Sequence, residues 1–285
     1  MPIDYPSLMA MRWPEFEASY GERETMLYAL GVGFGADPMD EAELPFVYEK
    51  SLKTVPTMAT MIAWQEGLSA RTGVNNLFVV HGEQRVTLHR PLPSAASVVA
   101  ATRVVEAIDK GKDKGAIVVL ETKIREKASG KPLCTNLSTV FARGDGGFGG
   151  PSSGGLTPHV LPERSPDAVA EAKTLPNQAL LYRLSGDRNP LHSDPAFARA
   201  AGFPRPILQG LGTFGIACRA VLGTMCDYDH RRIIGFDTRF SAPVFPGETL
   251  RIEMWRDGDI VSFRAKTVER DVMVLNNGKA MLDRA

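Results

Sequence analysis

Three cysteines in 285 residues, Cys134, Cys218 and Cys226, are too few and too scattered for a disulfide framework, and no Cys-x-x-Cys pair suggests zinc. Each reads as a small buried hydrophobe. An excess of charge is also missing. The 33 basic residues balance 33 acidic ones, so no basic field announces a nucleic-acid partner. Nowhere are ~18 apolar residues consecutive, and the first stretch of chain lacks a basic segment followed by an apolar run and a small-residue cleavage site. These absences lead us to expect a soluble protein of a reducing compartment, without metal, membrane or nucleic-acid partner. What is present is ample for folding. A hydrophobic content of 44% suffices for a core, arranged as one large domain or two ordinary ones.

The segment up to about Tyr20, rich in Pro and aromatics, reads as a surface wrap. Gly31, Gly33 and Ala36 then fall at the spacing of a dinucleotide-binding fingerprint. That fingerprint needs a strand before it and a helix after it, whereas here a helical pattern precedes and Asp37-Pro38 follows. Leu27-Tyr28-x-Leu30 instead matches Leu181-Tyr182-x-Leu184. The glycines occupy the slot that Ser185-Gly186-Asp187-Arg188-Asn189 fills later. His81-Gly82 to Val98 and Ile234-Gly235 to Ile252 also share a layout of alternating strand positions around Pro-rich turns. Two copies of one unit are expected. In the first, Lys53 to Ala70 is the candidate core helix, with strands over Ile117–Ile124 and Leu133–Phe141. In the second, a helix from Gly210 precedes strands near 232–240, 249–255, 260–268 and 271–275. A long helix followed by consecutive antiparallel strands is an α+β arrangement. Gly144 to Pro166, with its Gly-Gly pairs and prolines, is a linker by composition. The expected division is a first repeat over 1–150, a linker over 151–174 and a second repeat over 175–285.

The most informative stretch is Asn177 to Gly223. Leu180, Leu181 and Leu184 repeat at helical spacing, Asn177 can cap their first turn, and Gly186 stands where a glycine commonly closes a helix. Pro190 disfavours helix at Asn189, so Asp187 to His192 should form an irregular loop that displays an acid, an amide and an imidazole. Asp194 should cap a short helix with Pro195 at its first position and Gly202 after its last turn. Leu211, Phe214, Ile216, Cys218, Val221 and Leu222 recur mostly at three- and four-residue steps, while glycines and alanines keep this helix slim enough to be wrapped by a sheet. If the helix starts near Gly210, its first N–H groups lack helical partners and suit a developing anion.

Tyr182 to His192, followed by Pro206-Ile207-Leu208 and Gly210-Leu211, resembles the hydratase-2 motif of the MaoC-like, R-specific enoyl-CoA hydratases. Val80-His81-Gly82-Glu83-Gln84, Pro91-Leu92-Pro93, Asp109-Lys110-Gly111, Phe240 and Pro243 to Leu250 are similar to that family in order and spacing, so the likeness covers most of both halves. Gln209 stands where many members carry histidine. The resemblance implies a double hot-dog fold, two antiparallel sheets each curled around a helix, in chains that pair as homodimers. It implies hydration of a trans-2-enoyl-CoA to (3R)-3-hydroxyacyl-CoA, the coenzyme A thioester being substrate and no cofactor being needed. It also implies substrate contacts at His81, Gly82, Lys110, Arg188 and Phe240. Taken alone, Lys110 reads as the tip of a solvated hairpin, His81 as structural and Phe240 as a core strand residue.

Hydration of a double bond conjugated to a thioester needs a base to sharpen water, an acid to protonate the neighbouring carbon, and a donor for the enolate-like oxygen. Asp187 and His192 can supply the first two and Gly210 N–H the third, with Asn189 positioning the water or Asp187. An ordinary Asp and His titrate near ~3.9 and ~6.5, so at neutral pH both can accept from one water. Taken alone, Asp187 reads as a helix cap and His192 as a satisfied polar contact. The same site on a steroid or bile-acid side chain, a branched diacid or a carrier-bound chain is the nearest alternative, and a non-catalytic acyl-CoA binder the next. Leu282-Asp283-Arg284-Ala285 does not match a Ser-Lys-Leu-type peroxisomal address, so a cytoplasmic location is expected.

Overall fold

The computed structural model describes residues 3–68, 72–75 and 79–283. Among the described residues ten antiparallel strands form one sheet. In chain order the elements are α1 (Tyr5–Ala10), β1 (Phe16–Tyr20), α2 (Glu22–Gly31), α3 (Leu44–Val47), β2 (Val79–Leu88), β3 (Ala96–Asp109), β4 (Ala116–Glu126) and β5 (Pro132–Ala142). Then follow β6 (Ala168–Lys173), α4 (Gln178–Tyr182), α5 (Pro195–Ala200), α6 (Gly210–Met225), β7 (Ile233–Phe240), β8 (Thr249–Asp257), β9 (Ile260–Thr267) and β10 (Val272–Leu282). Across the sheet they run β1-β3-β4-β5-β2-β7-β10-β9-β8-β6. The second half repeats the first in mirror order, and the halves join where β2 pairs with β7, Glu83 opposite Arg239 and Thr87 opposite Gly235. The duplication expected from the sequence is therefore a topological fact, and each five-stranded half is one unit.

α6 is the helix the sheet wraps. Leu211, Phe214, Ile216, Ala217, Cys218, Val221 and Leu222 are all buried, and the helix packs against β6 to β10. Its glycines permit that packing. A Cβ at Gly215 would lie 2.4 Å from Val32 Cγ1 and 3.0 Å from the Tyr28 hydroxyl, so only glycine lets the end of α2 approach. All three cysteines are free and buried, as anticipated. Among the described residues no helix is long and apolar enough to cross a membrane.

Four expectations change. The core helix expected over Lys53–Ala70 is absent: Pro56–Thr60 forms a single 3-10 turn followed by further turns, while Ser69 and Ala70 lie outside the described residues. Pro56 opens that turn, and Asn136 Nδ2 donates to the Ala59 carbonyl at 2.8 Å, taking an acceptor that a helical ladder would need. The N-terminal segment is more than a wrap, since β1 pairs with β3 along its whole length and Ile3, Leu8 and Trp13 are buried. The linker ends before residue 174, because β6 pairs with β8 as the outer strand of the second unit. α4 is shorter than the Leu180–Leu184 spacing suggests: it faces the core through Ala179 and Tyr182, leaves Leu180 and Leu184 exposed, and lacks a side-chain cap from Asn177. A 3-10 turn over Arg183–Ser185 carries the chain on to Gly186.

The intervening stretch is tied down along its length. Asp109 accepts from the amides of Gly147 and Gly149, Arg85 donates to the Thr157 carbonyl, and Asn277 donates to that of His159. Glu83 at the seam bridges Arg85 and Arg239. One buried carboxylate thus joins β2 to β7 while its two arginines reach the strap that crosses them.

Candidate active site

The loop predicted from Gly186 and Pro190 is present. Gly186 has φ 140°, a region that side-chain-bearing residues rarely adopt, and the chain there turns away from α4. Asn189 Oδ1 accepts from Leu191 N at 3.0 Å and so caps a 3-10 turn over Pro190–His192. Asn189 N donates in turn to Asp187 Oδ1 at 3.2 Å. Asn189 therefore fixes Asp187 through its backbone while its side-chain carbonyl shapes the next turn. This folds the loop back on itself, and Asp187 Oδ2 comes to 3.7 Å from His192 Nε2. The acid and the imidazole face each other, with side chains only 17% and 9% exposed.

The protonation state of the imidazole follows from its other nitrogen. His192 Nδ1 lies 2.9 Å from the Ile207 carbonyl oxygen, which can only accept, so Nδ1 carries the hydrogen and Nε2 of the neutral ring presents a lone pair. Burial lowers the His192 pKa below its usual value, against the opposing pull of the Asp187 charge and the Ile207 carbonyl. Two acceptors thus confront each other 3.7 Å apart with no proton between them. A molecule that donates two hydrogen bonds, above all water, satisfies both.

Ile207 leads directly into α6. Gln209 precedes its first turn, and the first helical bond runs from Thr213 N to Gln209 O at 3.1 Å. The amides of Gly210, Leu211 and Gly212 come before that bond and form the positive end of a 16-residue helix. Two residues, Leu208 and Gln209, separate Ile207 from Gly210, a span of at most ~11 Å. The Gln209 side chain turns inward and donates to the Ala179 carbonyl at 3.2 Å, so this buried amide braces α4 against α6.

Phe240 and His81 continue the site from the other side. A Cβ on Gly210 would stand 3.3 Å from the Phe240 ring, and that ring lies 4.8 Å, centroid to centroid, from the His81 imidazole. The His81 residue keeps some exposure, but its Nε2 is buried without a hydrogen-bond partner. Burial depresses its pKa to about 4. A ring with so low a pKa is a weak base near pH 7, so this histidine offers shape and one polar atom rather than a charge. Gly82 sits at a β-bulge where the β2–β5 register shifts between His81 and Glu83. His81, Gly82, Phe240 and Gly210 are thus contiguous.

Lys110 and Arg188 stand apart from this group. Lys110 is at the tip of the β3–β4 hairpin, its N–H donating to the Gly115 carbonyl, on an open groove shared with Lys114, Gly150 and Ser152. Arg188 is exposed on the outer side of the loop. Among the described residues no three His, Cys, Asp or Glu side chains gather as metal ligands. Ile207, Met61 and Trp64 were not legible as site residues. Ile207 acts through its carbonyl, which any residue type carries. Met61 and Trp64 reach Gly186 from the first unit, across more than a hundred positions of sequence.

The chain is similar to known proteins along both of its halves. Residues 159–277 match the MaoC like domain, and residues 18–144 match the MFE-2 hydratase 2 N-terminal domain. The chain is 43% identical to the peroxisomal enoyl-CoA hydratase 2 of Arabidopsis thaliana, over 94% of its own length and 92% of the plant protein. It is 39% identical to an enoyl-CoA hydratase of Mycobacterium tuberculosis, over 98% of both chains. The crystal structure of a MaoC-like dehydratase from Phytophthora capsici superposes with a TM-score of 0.88 at 31% identity, over 99% of this chain and 98% of that one. A more distant M. tuberculosis protein, 15% identical with a TM-score of 0.58 over 96% of both chains, is described as a double hot-dog fold, in keeping with the mirrored sheet described above. With both halves matched and relatives aligned along nearly its full length, the chain belongs to the MaoC-like hydratase 2 family.

Proposed function

We propose that this protein is an R-specific 2-enoyl-CoA hydratase, a hydro-lyase that adds water to trans-2-enoyl-CoA to give (3R)-3-hydroxyacyl-CoA and catalyses the reverse dehydration. The observation that carries the reading is the pair of acceptors, Asp187 Oδ2 and His192 Nε2, held 3.7 Å apart with the imidazole tautomer set by Ile207. One water donates to both. As its oxygen adds to C3, its proton passes to this pair, the C2=C3 π electrons move toward C1, and negative charge collects on the thioester oxygen. The Gly210 N–H at the positive end of α6 is the donor for that oxygen. The pair then returns a proton to C2 as the enolate collapses, so one molecule of water has been added and no group on the protein has changed. Because one pair handles both transfers, hydroxyl and proton arrive on the same face of the alkene.

Each group does work of ordinary size. A positioned acid or base contributes roughly 100- to 10,000-fold, and an oxyanion donor on the order of 3 kcal/mol. His81, Gly82 and Phe240 line the approach to Gly210, and Lys110 and Arg188 are assigned to the coenzyme A portion of the substrate. This reading includes a homodimer and a cytoplasmic location, to be checked by sedimentation and by fractionation of cells. The decisive test is hydration of a series of trans-2-enoyl-CoA esters, followed by the fall in enoyl-thioester absorbance and by the chirality of the product. Formation of the (3R) alcohol is expected. Tight binding without loss of absorbance would leave an acyl-CoA binder instead.

A further inference from the structure

The first unit packs against the loop immediately before Asp187. The direction a side chain would take from Gly186 is filled by the Trp64 indole, with Cδ1 3.0 Å and Cγ 3.2 Å from the ideal Cβ position, and by Met61 Cε at 3.2 Å. Gly186 immediately precedes Asp187, so this ring lies against the backbone that carries the carboxylate. Met61 is buried, whereas Trp64 is half-buried and packs on the core. Its Nε1 is buried without a hydrogen-bond partner. Trp64 is also the point at which the first unit's chain leaves the core, since Gln65 to Leu68 are partly or fully exposed.

We propose that Trp64 is a specificity-determining residue: its indole bounds the space beside the Asp187–His192 pair and limits branching or bulk on the acyl chain near the carbons that react. This rests on the hydratase reading above. A wide, rigid ring fixed on the loop backbone excludes a substituent by overlap, whereas a linear chain passes along its face. A hydrophobic wall discriminates a methylene-sized difference by roughly 10- to 200-fold, and an indole withdrawn to a methyl group frees several times that volume.

The test compares kcat/KM for a linear enoyl-CoA with that for one branched at the carbon next to the reacting pair, in the wild type, Trp64→Ala, Trp64→Leu and Trp64→Phe. The expected result is a branched-to-linear ratio raised at least about tenfold in Trp64→Ala, less in Trp64→Leu, and near wild type in Trp64→Phe. If Trp64→Ala fails to fold, the Leu and Phe variants carry the same ordering. A ratio unchanged in every folded variant, with both substrates losing activity alike, makes Trp64 a packing residue and overturns the assignment. A wild type that hydrates neither substrate overturns the hydratase reading and this assignment together. Linear-chain activity that depends on Asp187 while the ratio ignores residue 64 overturns only the assignment.

Discussion

Asp187→Asn tests the two-acceptor geometry most directly, because the structure fixes how the new amide must sit. Asp187 Oδ1 accepts from Asn189 N at 3.2 Å, so the asparagine has to keep its oxygen there; the reverse orientation would set two donors against each other. Its NH₂ then points at His192 Nε2, which the Ile207 carbonyl keeps as an acceptor on the far side of the ring. The 3.7 Å gap needs to shrink by less than an ångström to become a direct N–H···N hydrogen bond. The variant thus loses its carboxylate base and closes the place where water is held. We expect kcat/KM to fall by roughly 100- to 10,000-fold, equivalent to about 3–5 kcal/mol of barrier.

Stability should barely move. The acid and imidazole are not hydrogen-bonded to each other, the replacement is isosteric, and the Asp187 charge only opposes a pKa shift that burial already dominates. A thermal melt followed by circular dichroism should agree with wild type to within the effect of about 1 kcal/mol. The enoyl-thioester absorbance assay gives the rate. A well-folded Asp187→Asn protein retaining activity within tenfold of wild type would refute the role given to this carboxylate.

Other consequences can be measured on the same preparation. Gly210→Pro removes the proposed oxyanion donor at the first helical position, where proline is tolerated, and the preceding Gln209 at φ −56°, ψ 137° already suits it. Gly210→Ala keeps the N–H and meets the Phe240 ring at 3.3 Å just as the proline carbon would, so it serves as the steric control. The proline variant should lose roughly 100- to 1,000-fold in kcat beyond the alanine variant, and equal losses would remove Gly210 N–H from the mechanism. Because burial lowers the His192 pKa, the acid limb of kcat/KM should lie below pH 6.5, and a limb at or above that value would contradict a neutral, buried imidazole. His81 titrates at about 4 in the fold and near ~6.5 when unfolded, so the unfolded state binds the extra proton and stability falls as pH drops from 6.5 toward 4. His81→Phe should remove up to about 3 kcal/mol of that slope in denaturant titrations, less what the ring's exposed edge already screens. An unchanged difference between pH 7 and pH 4.5 would count against the shift.

The parts legible in the sequence are those governed by local rules. Asp194 caps α5 through Ala196 N and Phe197 N, Pro195 opens that helix, and Gly202 follows it with φ +86°. α6 begins at Gly210 because small and apolar residues alternate at helical spacing from there. The Asp187–His192 loop was readable from the glycine and proline that bracket it. Failures occurred where non-local contacts decide. Lys53–Ala70 has a helical composition, yet Pro56 and the hydrogen bond from Asn136 hold its first part in a 3-10 turn, and a partner in β5 leaves no mark on local periodicity. β1 and β6 are outer strands of five and six residues whose alternation is too short to rise above loop composition. The tautomer of His192 depends on a carbonyl fifteen residues away, and backbone carbonyls carry no sequence signal at all.

Why a duplicated chain keeps a single site follows from what the first copy's equivalent loop now does. Where the second copy has Asp187 and His192, the first has Gly33 and Pro38, and the stretch that begins there packs against α6. Glu43, 1% exposed, accepts from Arg219 on α6 through both oxygens, at 2.5 and 3.0 Å, from Gly35 N at 2.9 Å, and from the Tyr228 hydroxyl at 3.2 Å. Gly33 faces the same guanidinium, and the Arg219 guanidinium carbon lies 5.7 Å from the Phe34 ring centroid. A buried pair whose remaining lone pairs are satisfied is costly to break from one side, about 3–5 kcal/mol, because the survivor is left charged and dry. α6 is therefore held by the first unit at Arg219, in its second half, while its N-terminal end presents the Gly210 amide beside Phe240. The second copy's loop keeps its acid and imidazole facing each other, whereas the first copy's equivalent stretch is packed on the Arg219 guanidinium, so the two copies of one loop do different things.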